Sequence, residues 1–483
     1  VSRGLGDVYK RQKQNRNAFR GGAYSLILSA VVLTILIVVN ILVNALPENL
    51  TKYDISAAKL YSITSNTKAV VNGLDEDITI YWIVQADKED AVIENLLNKY
   101  DSLSDHIQIV KKNPDVYPTF AEQYTDEEAA NNSLVVECGE RSRFIGYDDI
   151  YVQEADIYSY SYNTSFDGEG AITSAIDYVV NEEQPKVYIL EGHGERELPA
   201  SFKEQIEKEN IQLEQLSLLN VDSIPEDAAG IMIYAPSSDI SGEEQTMLAD
   251  YTKKGGKLFA AAGPVKEGNL DNLHGLLEEY GVTAQDGIVV EGDRERYALQ
   301  TPYALLPQME SSDITDALIE EHYYPILPIV QGLKVDETKA AGRVTTLLST
   351  TDQAFSKMAG YELSTYEREE GDVDGPFAAA VSISCENEGR ILWFGSSDFL
   401  EDMYNALSSG ANGDLGMNGL SSMIGESEAM AIRSKSLNYN YLTISESTSA
   451  MLQAVMIGIF PLAYLGIGIC VVMRRRRMQN EAG

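Results

Sequence analysis

The stretch that decides the fold is Lys186 to Glu197, which reads KVYILEGHGERE. A short apolar run ends abruptly at Gly-His-Gly and is followed by residues with helical spacing, which is typical of the first strand-to-helix turn of an α/β unit. Pro185 stands just before the run, and Gly192 and Gly194 allow backbone angles that other residues resist. We therefore predict a strand buried on both faces, with a turn at its carboxyl end.

The residues that follow alternate between strand and helix with short connections. Helices are predicted at 202–209 and from Ser241, where Glu244 three residues on completes a capping box. Extended segments are predicted at 211–216, 230–234, 257–261 and 390–394. This alternation predicts an α/β domain with a mostly parallel sheet, covered by helices on both faces and spanning 161–400.

A smaller layer precedes this central domain. Strands are predicted at 77–84, 107–110, 133–137 and 143–147, with a helix at 89–103 between the first two. This order suits a thioredoxin-like domain over 47–160, but no redox dithiol is present and we assign it no redox chemistry. A helix at 166–181, with Ile172, Ile176 and Val179 on one face, is predicted to lead into the central domain.

Two runs without charged residues lie near the two ends of the chain, at 23–46 and 451–473. The first would span about 36 Å as a helix, more than a hydrocarbon core of about 30 Å. Basic residues precede it, and Arg474 to Arg477 follow the second run, so the positive-inside rule predicts that both termini are cytoplasmic. A signal peptide cleaved after Ala45 is the alternative for the first run, although its apolar stretch is longer than such peptides usually have.

The predicted organisation along the chain follows from these segments. Residues 1–22 form a cytoplasmic arm, of which 1–12 (VSRGLGDVYKRQ) resemble a translated sequencing adapter and are set aside. Residues 401–450 are expected to be a membrane-proximal segment, and 474–483 a basic cytoplasmic tail. The chain is therefore predicted to lie in the cell membrane, with a large extracytoplasmic domain between two transmembrane helices.

The formal net charge is −37, and the basic residues at both ends make the central part more acidic still. Such a surface repels nucleic acid and anionic lipid headgroups, so no nucleic-acid partner is expected. It is read as a solvated acidic exterior, with a specific cation-binding role as the alternative. The three cysteines, Cys138, Cys385 and Cys470, are widely separated, and no Cys/His spacing predicts a metal site or cofactor.

Candidate binding residues follow two predicted strands, where open α/β sheets bind ligands. His193 lies between glycines, with Glu191, Glu195 and Arg196 beside it. One interpretation is a turn in which His193 and Glu195 satisfy backbone groups, and the other is contact with a ligand.

A second candidate follows the strand at 390–394. Ser396, Ser397 and Asp398 could be a nucleophile with an acid, or a polar turn that caps the next helix. No G-x-S-x-G elbow surrounds them, and no phosphate-binding G-x-x-x-x-G-K-[ST] motif occurs in the chain. We therefore predict binding residues but no catalytic residues.

These motifs together resemble the Gldg family, the auxiliary components of ABC-type transport systems first named for gliding motility. The resemblance is carried by KVYILEGHGERE, the run at 230–264, RILWFGSSDF at 390–399, the segment KLYSITSNTKAVVNGL at 59–74 and the final apolar run followed by RRRR. It implies an extracytoplasmic domain related to glutamine-amidotransferase-like folds, working beside a permease and a cytoplasmic ATPase. The amidotransferase nucleophile is a cysteine at a strand-helix turn, which this chain lacks, so inherited catalysis is not expected.

Two functional hypotheses remain. The first is a non-enzymatic, membrane-anchored transport subunit that binds a substrate or partner outside the membrane. The alternative is a membrane-tethered hydrolase that acts on cell-envelope material around His193. The absence of a paired nucleophile and base favours the first.

Overall fold

The computed structural model describes residues 30–35, 37–39, 41, 62–126, 128–156, 161–181, 184–424, 435–436 and 454–480. The chain divides into two compact units. One is Leu60–Asn440, and the other combines Val1–Lys59 with Tyr441–Gly483. The Leu60–Asn440 unit contains both of the layers that the sequence predicts.

The first layer of this unit is a four-stranded sheet with three neighbouring helices. The strands are β1 (Ile78–Ile83), β2 (Ile107–Lys112), β3 (Ser133–Cys138) and β4 (Arg141–Ile145), and the helices are α1 (Ser65–Asn72), α2 (Ala91–Leu103) and α3 (Tyr147–Ile150). The sheet order is β2-β1-β3-β4, with β2 parallel to β1 and the other pairs antiparallel. The predicted order of elements is thus present, whereas the likeness to thioredoxin stays a prediction.

Helix α4 (Gly168–Val180) also packs on this first layer. The apolar face formed by Ile172, Ile176 and Val179 is buried in the same core as Trp82 of β1. The sequence placed this helix in the central domain, after a boundary at residue 160. Its apolar face is covered by the small sheet, so α4 shares the core of the first layer, and the boundary at residue 160 stays a prediction.

Two segments, one from each end of this unit, lie next to the start of α4. Thr64, the N-cap of α1, donates its backbone N–H and its hydroxyl to Oε1 of Glu169, at 2.7 and 2.8 Å. Strand β22 (Lys435–Ser436) pairs with β6 (Ser161–Phe166), which pairs with β5 (Tyr151–Asp156). The first and last described segments of this unit are therefore held next to each other.

The second layer is a ten-stranded sheet. Its strands are β7 (Lys186–Leu190), β8 (Gln212–Leu216), β9 (Ala228–Tyr234), β10 (Lys257–Ala261), β11 (Val282–Ala284), β14 (Gln308–Met309), β16 (Leu333–Val335), β17 (Val344–Ser349), β20 (Ala378–Ser384) and β21 (Arg390–Phe394). Eight of them follow the order β11-β16-β20-β21-β10-β9-β7-β8, while β17 pairs with β20 and β14.

This sheet is mixed, which corrects the prediction of a mostly parallel one. β8, β7, β9, β10 and β21 are parallel. On the other side of β21, β20 is antiparallel to β21, β16 and β17. The connection gives the physical reason: residues 385–389 join β20 to β21, whereas a parallel pair needs a crossover of about a dozen residues.

Helices cover both faces of the sheet, as the sequence predicts. They include α5 (Ala200–Lys208), α6 (Gly242–Lys253), α7 (Asp271–Glu278), α10 (Asp402–Leu407) and α11 (Ala411–Ile424). Successive residues of β7 enter opposite cores, since Val187 is buried with Phe202 of α5 and Tyr188 with Leu248 of α6. Burial on both faces explains why the central strands read as continuous apolar runs.

Helix α11 is buried along almost its whole length. A Cβ at Gly416 would stand 2.8 Å from the Phe202 ring, and one at Gly419 would stand 2.4 Å from the Leu392 side chain, so glycine permits this close approach. The side chain of Asn412 bonds both the N–H and the C=O of Ile326, each at 2.8 Å. The large layer therefore continues to residue 424, into the segment expected to be membrane-proximal.

The remaining elements lie between β11 and β21. They are β12 (Ile288–Val290), β13 (Ala304–Leu305), β15 (Leu327–Pro328), β18 (Phe355–Lys357), β19 (Val373–Asp374), α8 (Asp316–Glu321) and α9 (Glu337–Ala340). β12, β18 and β19 form a three-stranded sheet, and β13 pairs with β15. The sequence predicts no helix or strand at 302–328, because strands as short as β13 and β15 leave no periodic pattern.

The last helix, α12 (Phe460–Asn480), continues from a π-helical turn at Ala454–Ile459. Among the described residues, Val455–Arg474 is the one helix that is long and apolar enough to cross a membrane, judged by length and composition. Of the first predicted span, 23–46, residues 30–35, 37–39 and 41 are helical, and the rest lies outside the described residues. The two-span topology stays a prediction.

Candidate functional site

The carboxyl ends of β7, β9, β10 and β21 meet at one edge of the large sheet, because these strands are parallel neighbours. The turn at Glu191–Glu197 follows β7, and Gly395–Glu401 follows β21. Both groups of candidate residues therefore lie at the same edge, which is where open α/β sheets place their ligand sites.

His193 is buried between two carboxylates. Its Nδ1 lies 3.2 Å from Oε1 of Glu195, and its Nε2 lies 3.1 Å from Oε2 of Glu244. The three side chains are 7%, 6% and 4% exposed, respectively. Oε2 of Glu195 also accepts the backbone N–H of His193 at 2.7 Å. His193 and Glu195 thus make the internal contacts that the turn interpretation predicts.

The backbone carbonyl of His193 joins its turn to the loop after β9. It accepts the N–H groups of Ser237 and Ser238, both at 3.0 Å, and the Ser238 hydroxyl at 2.9 Å. Gly194 makes this approach possible: its φ is +70°, and a Cβ there would stand 2.1 Å from Oγ of Ser237. These hydroxyls donate to a carbonyl rather than face the imidazole, so neither is placed as an activated nucleophile.

Glu244 was not among the predicted site residues, although its capping box was predicted. Ser241 and Glu244 form that box: Oγ of Ser241 accepts the N–H of Glu244 at 3.2 Å, and Oε2 of Glu244 accepts the N–H of Ser241 at 2.8 Å. Burial acts to raise the pKa of Glu244, but the hydrogen bonds of Ser241 and the charge of His193 outweigh it and lower the pKa below its usual value. The capping carboxylate is therefore also the partner of the buried histidine.

Arg196 connects the β7 turn to the residues after β21. Its guanidinium donates to Oε1 of Glu401 at 2.7 Å, to Oγ of Ser397 at 2.9 Å and to Oδ1 of Asp398 at 2.5 Å. The guanidinium also lies 5.5 Å from the ring centroid of Tyr234, at the end of β9. The structure thus brings together two of the predicted binding residues, Arg196 and Asp398, which follow different strands.

The side chains of two predicted residues, Ser396 and Glu191, form hydrogen bonds with neither His193 nor Arg196. Ser396 is fully buried and donates to the carbonyl of Pro328 at 2.5 Å, so its neighbour Ser397 is the serine that contacts Arg196. The backbone N–H of Glu191 continues the sheet by donating to the carbonyl of Leu216. The side chain of Glu191 is exposed to solvent.

Several tyrosines lie near the Arg196 cluster, and none of them was among the predicted site residues. Burial raises the pKa values of Tyr361 and Tyr404, and the nearby Asp398 carboxylate adds to both shifts. Tyr303 also contributes to the shift at Tyr404, and its ring lies 5.8 Å from that of Tyr366. Their signal is weak in the sequence because they come from separate parts of the chain: Tyr361 and Tyr366 lie between β18 and β19, whereas Tyr404 lies in α10.

No group of three or more His, Cys, Asp or Glu side chains is placed to hold a metal ion in the part of the chain that the structure describes. Arg196, Asp398 and Glu401 form a partly exposed cluster of one guanidinium and two carboxylates, which offers hydrogen-bond donors and acceptors. This arrangement is suited to binding a polar group and has no paired nucleophile and base.

One family model matches nearly the whole of the large layer. Residues 184–422 match the model of a family described as an ABC-type uncharacterized transport system. The match begins just before β7 and ends within α11, so it covers the ten-stranded sheet and its edge site. It supports the general class of ABC-type transport auxiliaries, whereas the finer assignment to the Gldg family stays a prediction. Residues 57–153 match a domain of unknown function.

No curated protein matches the chain. Among solved structures, the mmIFT52 N-terminal domain is 16% identical, with 50% of this chain and 96% of that one covered and a TM-score of 0.36. A glutamine amidotransferase from Thermotoga maritima is 8% identical, with 50% and 100% covered and a TM-score of 0.29. PurLQS from Thermotoga maritima is 12% identical, with 49% and 98% covered and a TM-score of 0.26. At such TM-scores these similarities carry no conclusion about function.

Proposed function

We propose that this chain is a non-enzymatic, membrane-anchored auxiliary subunit of an ABC-type transport system. It binds a substrate or partner at the carboxyl edge of its large sheet. The observation that carries the proposal is the Arg196 cluster, in which one guanidinium joins the β7 turn to Asp398 and Glu401 after β21. A ligand at this edge would contact two loops that are already fixed to each other, which lowers the entropy lost on binding.

The surroundings of His193 support binding rather than catalysis. Both ring nitrogens contact carboxylates, and the nearest serine hydroxyls donate to its backbone carbonyl. A general base must reach the proton that it removes, and this imidazole is 7% exposed. The hydrolase alternative requires that His193 become accessible to envelope material. It predicts that His193→Ala abolishes hydrolysis without lowering the melting temperature.

The expected partner subunits are inferred from the family match and from the absence of a phosphate-binding motif in this sequence. An ABC-type system needs nucleotide hydrolysis, and this sequence contains no phosphate-binding loop of the G-x-x-x-x-G-K-[ST] type. The ATPase and the permease would therefore be separate subunits. Val455–Arg474 would provide an anchor in the lipid bilayer.

The N-terminal run would provide a second anchor, with both termini cytoplasmic. Within the Leu60–Asn440 unit, the contact of Thr64 with Glu169 lies close to the pairing of Lys435 with Phe166, so the two ends of this unit are neighbours.

The test is co-isolation of an affinity-tagged full-length chain from membranes of its native host, followed by identification of the bound subunits and an ATPase assay. We expect an ABC ATPase and a permease to be recovered in fixed proportion. The chain purified alone should show no ATP hydrolysis. The proposal fails if neither subunit is recovered after mild cross-linking, or if the isolated chain retains ATPase activity through stringent purification.

A further inference from the structure

A long loop beside the Arg196 cluster is held rigidly by one buried lysine. Residues 358–372, named here the Lys357 loop, connect β18 to β19. The ammonium of Lys357, fully buried, donates to the carbonyl of Glu367 at 2.6 Å and to the carboxylates of Glu369 and Asp372 at 2.6 and 3.2 Å. Asp372 in turn accepts the backbone N–H of Met358 at 3.0 Å. Apart from one 3₁₀ turn at Gly360–Glu362, this loop has no helix or strand. Connections of this length are uncommon, and many carry a function.

The Lys357 loop presents large apolar side chains to solvent. Met358, Tyr361 and Tyr366 are 44%, 41% and 44% exposed. Tyr361 is fixed by its hydroxyl, which donates to the carbonyl of Pro264 at 2.9 Å, and Tyr366 packs against Tyr303. Tyrosine and methionine are enriched in protein interfaces, and rigid side chains lose little entropy on binding.

The charges on the surface of the Lys357 loop indicate which kind of partner it would bind. Glu362, Glu367 and Glu370 are exposed, and no base in the described part of the chain lies within ion-pair distance of them. A cation can lie over these rings, since Nζ of Lys266 lies 5.6 Å from the ring centroid of Tyr361. A second copy of this acidic chain would be repelled, whereas a basic surface would be attracted.

We infer that the Lys357 loop is a docking surface for a protein partner that presents a segment rich in lysine or arginine. The loop reaches the edge where the Arg196 cluster lies, because Tyr361 bonds the carbonyl of Pro264, and a Cβ at the preceding Gly263 would stand 3.5 Å from Cα of Ser396. The inference rests on the proposed function, since it gives the chemistry of the partner bound at this edge. Both the tyrosine rings and the glutamates without an ion-pair partner would contact the basic segment.

The probe is a fluorescein-labelled peptide of alternating lysine and serine, with a glutamate-serine peptide of equal length as its counterpart. Binding to the full-length chain in neutral detergent is measured by fluorescence anisotropy at low salt. Tyr361→Ser combined with Tyr366→Ser should weaken lysine-peptide binding by about tenfold. The matched control, Val116→Ser with Tyr117→Ser, also removes exposed apolar groups without changing the net charge. It should change binding by less than about twofold, because bulk attraction to the acidic chain is unaltered.

A charge variant keeps the test decisive if the tyrosine variant fails to fold. Glu362→Gln with Glu367→Gln and Glu370→Gln should also weaken binding, and it should reduce the dependence of affinity on salt. The inference is overturned if wild type binds both peptides equally, if the tyrosine variant and its control lose the same affinity, or if the tyrosines instead govern dimerisation. Peptide binding as expected without recovery of a permease or ATPase would overturn the proposed function and leave the docking surface standing.

Discussion

Nε2 of His193 lies 3.1 Å from Oε2 of Glu244, so the turn after β7 is bound to the first turn of α6. The same carboxylate oxygen accepts the N–H of Ser241 in the capping box. A helix cap and a strand-end turn therefore share one buried carboxylate, and a change at either residue affects both elements.

His193→Ala should lower the free energy of unfolding by about 1–3 kcal/mol, because Glu195 and Glu244 are left buried without the imidazole. The measurement is urea unfolding of the full-length chain in neutral detergent, followed by tryptophan fluorescence, to which Trp82 and Trp393 both contribute. His106→Ala is the control, since His106 makes an exposed pair with Asp77 and should change stability by less than about 0.5 kcal/mol. Equal losses in the two variants would contradict a structural role for His193.

Glu244→Gln should remove part of the acid sensitivity of the fold. The pKa of Glu244 is lowered in the folded chain from its ordinary value of 4.5, so its ionised form stabilises the fold above about pH 4.5. That contribution is lost as pH falls through the folded pKa. The difference in melting temperature between wild type and variant should thus be largest near pH 7 and shrink towards pH 3. A difference that is constant over this range would rule out the linkage.

Gly194→Val should lower the free energy of unfolding by about 2–4 kcal/mol, because the residue has φ +70° and its Cβ would meet Oγ of Ser237 at 2.1 Å. Gly242→Val is the matched control: no atom lies within 4 Å of a Cβ at Gly242. Thermal melts of both variants test this prediction. It would be wrong if the control lost as much stability as the Gly194 variant.

Lys357→Met should loosen residues 358–372 while leaving the large sheet folded. The ammonium that holds Glu367, Glu369 and Asp372 is removed, so the peptide bond after Arg368 should become accessible. Limited trypsin digestion with mass spectrometry should show cleavage there roughly ten times faster than in wild type. Lys266→Met removes an ammonium that lies over Tyr361 without holding the loop backbone, and should leave the rate unchanged.

Reporter fusions test the predicted topology. Fusions after Gly22 and after Arg477 should report a cytoplasmic position, and a fusion near Pro264 should report an exterior one, since both apolar runs have basic flanks. A truncation after residue 450 serves as the control, because the remaining anchor should still hold the protein in the membrane fraction. An exterior reading after Arg477 would overturn the topology.

Local signals predicted much of the fold. Strand β10 at Lys257–Ala261, strand β21 at Arg390–Phe394 and the Ser241 capping box were all read from the sequence, because each signal is complete within a few residues. The antiparallel half of the large sheet was missed. Its edge strand Leu333–Val335 has too few residues to show a period. Strand β20 is longer, but its sequence AAAVSIS is rich in alanine and serine, and alanine is depleted in strands.

The sequence by itself determined the strand at Lys186–Leu190, the glycine turn after it and the apolar run that makes Val455–Arg474 able to span a membrane. Only the tertiary structure decided that Arg196 contacts Asp398, 202 positions away, and that Ser397 rather than Ser396 joins them. The physical reason is strand order. Side-chain periodicity shows which residues are buried, but which strand lies next to which depends on packing across the whole sheet, and that packing brings distant loops to one edge.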